Sequence, residues 1–185
     1  MLFRSAPKTG ISVTDDQGSL TPETLEVLDL VAQGGAILGT CHISPKEIHV
    51  LVTEARARGV EKIVITHPFF KVPNLEIEDL KALSAQGAYA EFGYCTVSPM
   101  WHYATVTKVA DAINTIGASR ALLVSDTGQR HNPMPADALR IFAQSIFESG
   151  VSEEDVDRLI KLNPAELLGL PSHAPAMSEV ADARV

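Results

Sequence analysis

Four short apolar runs recur along the chain, and the distances between them set the fold class. The runs span residues 36–40, 62–66, 88–92 and 121–125 and read as β-strands. Each carries a polar residue at or just past its end: His42, His67, Glu91 and Asp126. From His42 to His67 is 25 residues, from His67 to Glu91 24, and from Glu91 to Asp126 35. A strand, a turn, a covering helix and a return fill about one such step, so the spacing predicts one β/α unit per step. The fold class is therefore α/β, with a parallel sheet covered by helices. All four polar residues fall at the same end of that sheet, the end where α/β proteins build their sites.

The intervening segments carry helix signals. Thr21 is an N-cap candidate with Pro22 at the first helical position and Glu23 in the first turn. Gly34 and Gly35 end this helix. Ser44 and Glu47 have the spacing of a capping box, and Ile48, Leu51, Val52 and Ala55 follow with helical periodicity. Further helices are predicted over 76–85, 106–116 and 136–149, another from Ser152, and a short last element over 163–170. Residues 10–13 read as an opening strand or an extended lead-in, and 93–105 as a long loop. The organisation is one domain over 1–170 with a disordered tail over 171–185, where Ser, Ala and Pro accumulate.

Charge and hydropathy exclude several functions. The net charge of −8 and the lack of a basic run argue against nucleic acid. No apolar stretch reaches the roughly 18 to 20 residues of a membrane span, and the N-terminus lacks a signal-peptide core. The expected location is the cytoplasm. Two cysteines give no disulfide framework. Cys41 precedes His42 and has the residue type of a sulfur ligand or nucleophile, but the favoured reading is a small buried residue at a strand end.

Two imidazoles and a carboxylate at strand ends can hold a divalent metal. His42, His67 and Asp126 are the candidate ligands, with zinc the foremost ion and one ion at most. A bound metal brings the pKa of water to about 7, and Asp126 is the candidate to take that water's proton and pass it on. Glu91, Gln129 and Asn132 are candidate substrate-binding residues, and Gln129 and Asn132 are also placed to orient Asp126.

The motifs Gly39-Thr-Cys-His-Ile-Ser44, Ile65-Thr-His-Pro68, Ser125-Asp-Thr-Gly-Gln129 and Asn163-Pro-Ala-Glu-Leu-Leu-Gly-Leu170 resemble the C-terminal half of the amidohydrolase superfamily. Within it the chain is similar to a branch of metal-dependent hydrolases related to the phosphotriesterase and TatD-type enzymes. The resemblance implies part of a (β/α)8 TIM barrel, incomplete at about four to five strands. It places His42, His67 and Asp126 as metal ligands at strands five, six and eight, and Glu91 on strand seven. It implies cleavage of an amide, ester or phosphoester bond in a small molecule.

The chain departs from that pattern in having no His-x-His pair, and nothing before Gly10 reads as strands one to three. It reads as the rear half of a barrel, from a shortened gene, a split gene or a truncated gene model. An open half-barrel leaves two strand edges and an inner face, so the expected partners are a second copy or an N-terminal half-barrel. The alternative function is a catalytically inactive remnant acting through association with a partner chain. A third is an α/β binding protein whose His placement is accidental.

Overall fold

The computed structural model describes residues 12–171. The expected tail from residue 172 on, and residues 10 and 11 of the expected opening strand, lie outside them. Ser12 and Val13 are not in a strand; Thr14 makes an isolated antiparallel bridge with Leu20.

The elements alternate as the spacing predicts: α1 (Pro22–Gly34), β1 (Ile37–Gly39), α2 (Pro45–Ala57), β2 (Lys62–Thr66), α3 (Ile77–Ala85), β3 (Tyr89–Gly93), α4 (Tyr94–Val97), α5 (Val106–Ile116), β4 (Ala121–Val124), α6 (Pro135–Glu148), α7 (Glu153–Asp157) and α8 (Asn163–Leu168). The four strands form one parallel sheet in the order β1-β2-β3-β4. This is the architecture of a partial β/α repeat, with each strand beside its sequence neighbour.

The helix starts follow their caps. The Thr21 hydroxyl accepts the Thr24 N–H, and Pro22 opens α1. At α2 the capping box closes in both directions, with Ser44 N–H donating to Glu47 Oε2 at 3.0 Å. At α3 the Asp79 carboxylate accepts the Glu76 N–H at 2.9 Å and also meets His49 Nε2 at 2.9 Å. His49 thus ties α2 to α3.

The strand period sorts the sheet into two faces. Ile63, Ile65, Ala90, Phe92, Ala121 and Leu123 belong to the main core with Leu28, Ile48, Val52, Leu80, Ile113 and Phe142 of the helices, and half-buried Leu38 packs against it. On the other face Val64, Tyr89 and Leu122 pack with Leu167 of α8 in a smaller cluster. That face also holds Ile37, Gly39, Thr66, Glu91 and Val124, around an open cavity of about 280 Å³ reaching Leu168. Ile37 on β1 is 41% exposed.

Two segments differ from expectation. The segment expected as a loop over 93–105 contains α4, a single helical turn directly after β3. After α7 the chain passes through a π-helical segment, Arg158–Leu162, before α8. At that junction Asn163 is fully buried, and its Nδ2 donates to Ala118 O and Ala121 O, both at 2.7 Å. These bonds fasten the C-terminal helices to the start of β4.

Candidate metal centre

The strand ends are shaped by left-handed backbone. Cys41 lies two residues past β1 with φ 52°, His67 one past β2 with φ 47°, and Asp126 two past β4 with φ 46°. Non-glycine residues seldom adopt this region, which costs of order 1–3 kcal/mol each and gathers at functional sites. After β3 the chain instead enters α4, whose second residue is Cys95.

These turns bring three ligand-bearing side chains together. The donor atoms of His67, Cys95 and Asp126 all lie within 4.8 Å of one another. The Cys95 thiol donates to Asp126 Oδ2 at 2.5 Å, and His67 Nε2 lies 3.4 Å from the same oxygen. Cys95 is buried, and the His67 side chain is 12% exposed against 36% for Asp126. Gly93 shapes the floor beneath them. A Cβ there would stand 3.2 Å from His67 Nδ1, 3.4 Å from Asp126 Cβ and 3.4 Å from Cys95 Sγ. The Gly93 backbone, φ −95° and ψ 138°, suits any residue, so glycine serves space at this point rather than conformation.

The predicted residues fall in different places. His67 and Asp126 meet. His42 is exposed and outside the compact set; its ring stacks on His67 with centroids 5.8 Å apart. Glu91 is half-buried on the cavity face of β3. Gln129 and Asn132 lie on the β4–α6 loop, where Asn132 Nδ2 donates to Gln129 Oε1 at 2.5 Å. Cys41, expected as the small buried residue, is exposed. Thr40 holds the buried position instead, at 3% exposure, and its hydroxyl accepts the Thr66 N–H.

Cys95 is the residue that sequence reasoning missed. Its signal was the count past the strand end: two residues beyond β3, as Cys41 and Asp126 stand two beyond β1 and β4.

Protonation follows from burial and one shared carboxylate. Burial, and then the hydrogen bond and charge of Asp126, push the Cys95 thiol up to about 12. Burial holds the His67 imidazole below its ordinary value, His42 adds to this, and the Asp126 charge opposes it. Burial and the Asp126 charge raise the Glu91 carboxyl. A neutral imidazole, a neutral thiol and one carboxylate therefore share the centre.

This donor set fits a divalent cation. Imidazole, thiolate and carboxylate are zinc's ordinary ligands, and neighbouring ligands on a tetrahedral ion stand about 3.5 Å apart. The 3.4 Å between His67 Nε2 and Asp126 Oδ2 already matches that edge. A cysteine nucleophile fits less well. Its thiol faces the carboxylate rather than the imidazole and stays protonated, the opposite of an activated sulfur.

Residues 3–91 match the model of a family of unknown function, DUF6282. The match takes in the turns carrying His42 and His67 and stops at Glu91, short of Cys95 and Asp126. None of the curated proteins matches the chain. Among the described residues no helix is long and apolar enough to cross a membrane.

Proposed function

We propose that the chain is a metal-dependent hydrolase of the amidohydrolase type, or the C-terminal portion of one, acting on an amide, ester or phosphoester bond of a small molecule. The supporting observation is the convergence of His67, Cys95 and Asp126 within 4.8 Å at the strand ends. These three residues would hold one divalent ion, zinc foremost, with His42 beside them as a further imidazole. When bound, such an ion acts as a Lewis acid and makes hydroxide available near neutral pH.

The chain's own residues do the rest. Asp126 has the exposure to take a proton from an incoming water and return it to the leaving group. His67 stays neutral and so keeps a nitrogen lone pair for coordination. Glu91, whose carboxyl is raised by burial, stands on the cavity face of β3 as a candidate contact for substrate. Gln129 and Asn132 would meet substrate from the β4–α6 loop.

Metal content after mild purification tests the reading. Near-stoichiometric zinc in the wild type, lost in His67→Ala, Cys95→Ala and Asp126→Ala, is the expected result. Metal-free wild type, or unchanged content in all three variants, would overturn it.

A second reading, an inactive remnant acting through association with a partner chain, has its own observation. The cavity face of the sheet leaves Ile37 and Leu168 exposed at 41% and 63%, beside β1, whose outer edge pairs with nothing among the described residues. A metal-free dimer in solution would favour it.

A further inference from the structure

Three aromatic side chains stand on loops at the rim of the metal centre. Phe70 lies three residues past His67 on the β2–α3 loop, fixed by its N–H donating to His67 O at 2.8 Å. Trp101 and Tyr103 lie on the β3–α5 loop, pinned through bonds to Ser98 O and Thr96 O. The rings form a continuous surface: Phe70–Tyr103 4.9 Å, Phe70–Trp101 5.9 Å and Trp101–Tyr103 6.0 Å between centroids. Phe70 also reaches the centre itself, 5.6 Å from the His42 ring and 6.1 Å from His67.

These rings lie outside the main core. Phe69 is buried in the main core, whereas Phe70, Trp101 and Tyr103 belong neither to that core nor to the side chains packed against it. Tyr103 is 39% exposed. One exposed and two half-buried rings beside converging polar groups are the composition of a ligand site.

The geometry and charge choose among ligands. Rings in mutual contact at 4.9–6.0 Å leave no space for a caged ammonium, so a cation enclosed by the three is excluded. Among the described residues the cation–ring contacts, Lys108 on Phe69 and Arg120 on Tyr89, involve other rings, and the titratable groups beside Phe70 are the imidazoles of His42 and His67, with Asp126 next to His67. In metal-free protein a phosphate or carboxylate would face the Asp126 side of the centre with no cation seated on these rings among the described residues. What remains is a flat, uncharged group laid against the outer surface of the rings.

We propose that Phe70, Trp101 and Tyr103 form the subsite for a neutral aryl group of the substrate, which makes the substrate class an uncharged aryl ester or amide. The inference rests on the hydrolase reading for the word substrate, but the subsite is testable in metal-free protein. Trp101 is the chain's single tryptophan and reports from within the site. Chelator-treated full-length protein would be titrated with phenylacetamide, cyclohexylacetamide and phenylacetate while Trp101 emission is followed. The expected result is saturable binding of phenylacetamide, roughly two- to tenfold tighter than the other two, as one aromatic pair supplies. That preference is lost in Phe70→Ala and in Tyr103→Ala, the second a change at an exposed side chain. Equal affinity for all three compounds, no saturable change, or a preference that survives both variants would overturn the proposal. Zinc content measured on the same preparations before chelation separates the two readings. Zinc without aryl preference overturns the subsite alone, and aryl preference without zinc supports the subsite and ends the hydrolase reading.

Discussion

The Cys95 thiol and the Asp126 carboxylate are 2.5 Å apart, and the same Asp126 oxygen faces His67. One negative charge is thus shared between two neutral donors. A cation held by these three groups would take the proton's place between thiol and carboxylate, and its arrival is what would make the thiol ionise.

That pairing predicts unequal cysteine chemistry. In metal-free native protein at pH 7, iodoacetamide should modify exposed Cys41 and spare Cys95, which is buried and held at about 12. Asp126→Asn removes the nearby charge, so the Cys95 pKa falls, although burial, the larger cause, remains. Mass spectrometry of the alkylated protein should show one adduct in the wild type, two after unfolding, and faster second labelling in Asp126→Asn. Prompt labelling of Cys95 in the native wild type would contradict the geometry.

Gly93→Ala probes the floor of the centre. The new methyl group would press on His67 Nδ1 at 3.2 Å while the backbone tolerates alanine. Overpacking costs about 1–3 kcal/mol, partly offset by roughly 0.4–1 kcal/mol from the stiffer unfolded chain. The thermal midpoint should therefore fall by a few degrees, while zinc affinity falls roughly tenfold as His67 shifts. Calorimetric titration with zinc reads the second effect; unchanged affinity would mean that the close approach has no bearing on the ligands.

The β/α order was legible because two periods, alternation in strands and 3.6 in helices, each repeat several times, and because Thr21, Ser44 and Ser152 cap where they stand. His67 and Asp126 were legible for the same reason, since a strand end fixes its next residue in space. Cys95 was not. It sits in a helical turn of four residues, too short to show a period, inside a stretch that reads as loop. Nor did the sequence announce that Cys41 would turn out to solvent at φ 52°, while Thr40 before it fills the buried place and accepts the Thr66 N–H. The aromatic surface depends on two loops meeting, Phe70 with Trp101 and Tyr103, a contact across about 30 residues that no local pattern carries.

Asn163 is the residue whose loss should cost the fold most for its size. Its Nδ2 satisfies two backbone carbonyls in a fully buried position. Asn163→Ala removes both bonds and leaves Ala118 O with the Ala121 N–H alone, so urea denaturation should show a loss of about 1–3 kcal/mol. Asn163→Asp replaces the donor with an acceptor facing the same carbonyls and should cost more at pH 7. Equal stability of Asn163→Ala and wild type would show that water replaces the amide there.

Acid unfolding of the metal-free protein should proceed in two separable stages. His67 is held below its ordinary pKa of roughly 6.5, so the unfolded chain binds its proton first. Its contribution is therefore present above about pH 6.5 and is lost as pH falls from there toward the depressed folded value. Glu91 acts in the opposite sense. Its folded pKa is raised, so it lowers stability once pH exceeds its unfolded value of about 4.3, and acidification relieves that cost. The two overlap, which makes Glu91→Gln the background in which the His67 stage stands alone. The second stage comes from Glu47 and Asp79. In Glu47 burial pushes upward but is outweighed by bonds from Ser44, Ser12 and Val13; in Asp79 the Glu76 N–H leads the lowering. Both folded values are depressed, so their stabilisation holds above roughly pH 4 and is lost below it. Urea midpoints in Glu91→Gln should fall between pH 7 and 5 and again below about 4. Adding His67→Gln should flatten the first fall, and adding Glu47→Gln with Asp79→Asn should reduce the second. A first fall that persists without His67 would assign it to another group and remove the basis for a buried neutral imidazole at the centre.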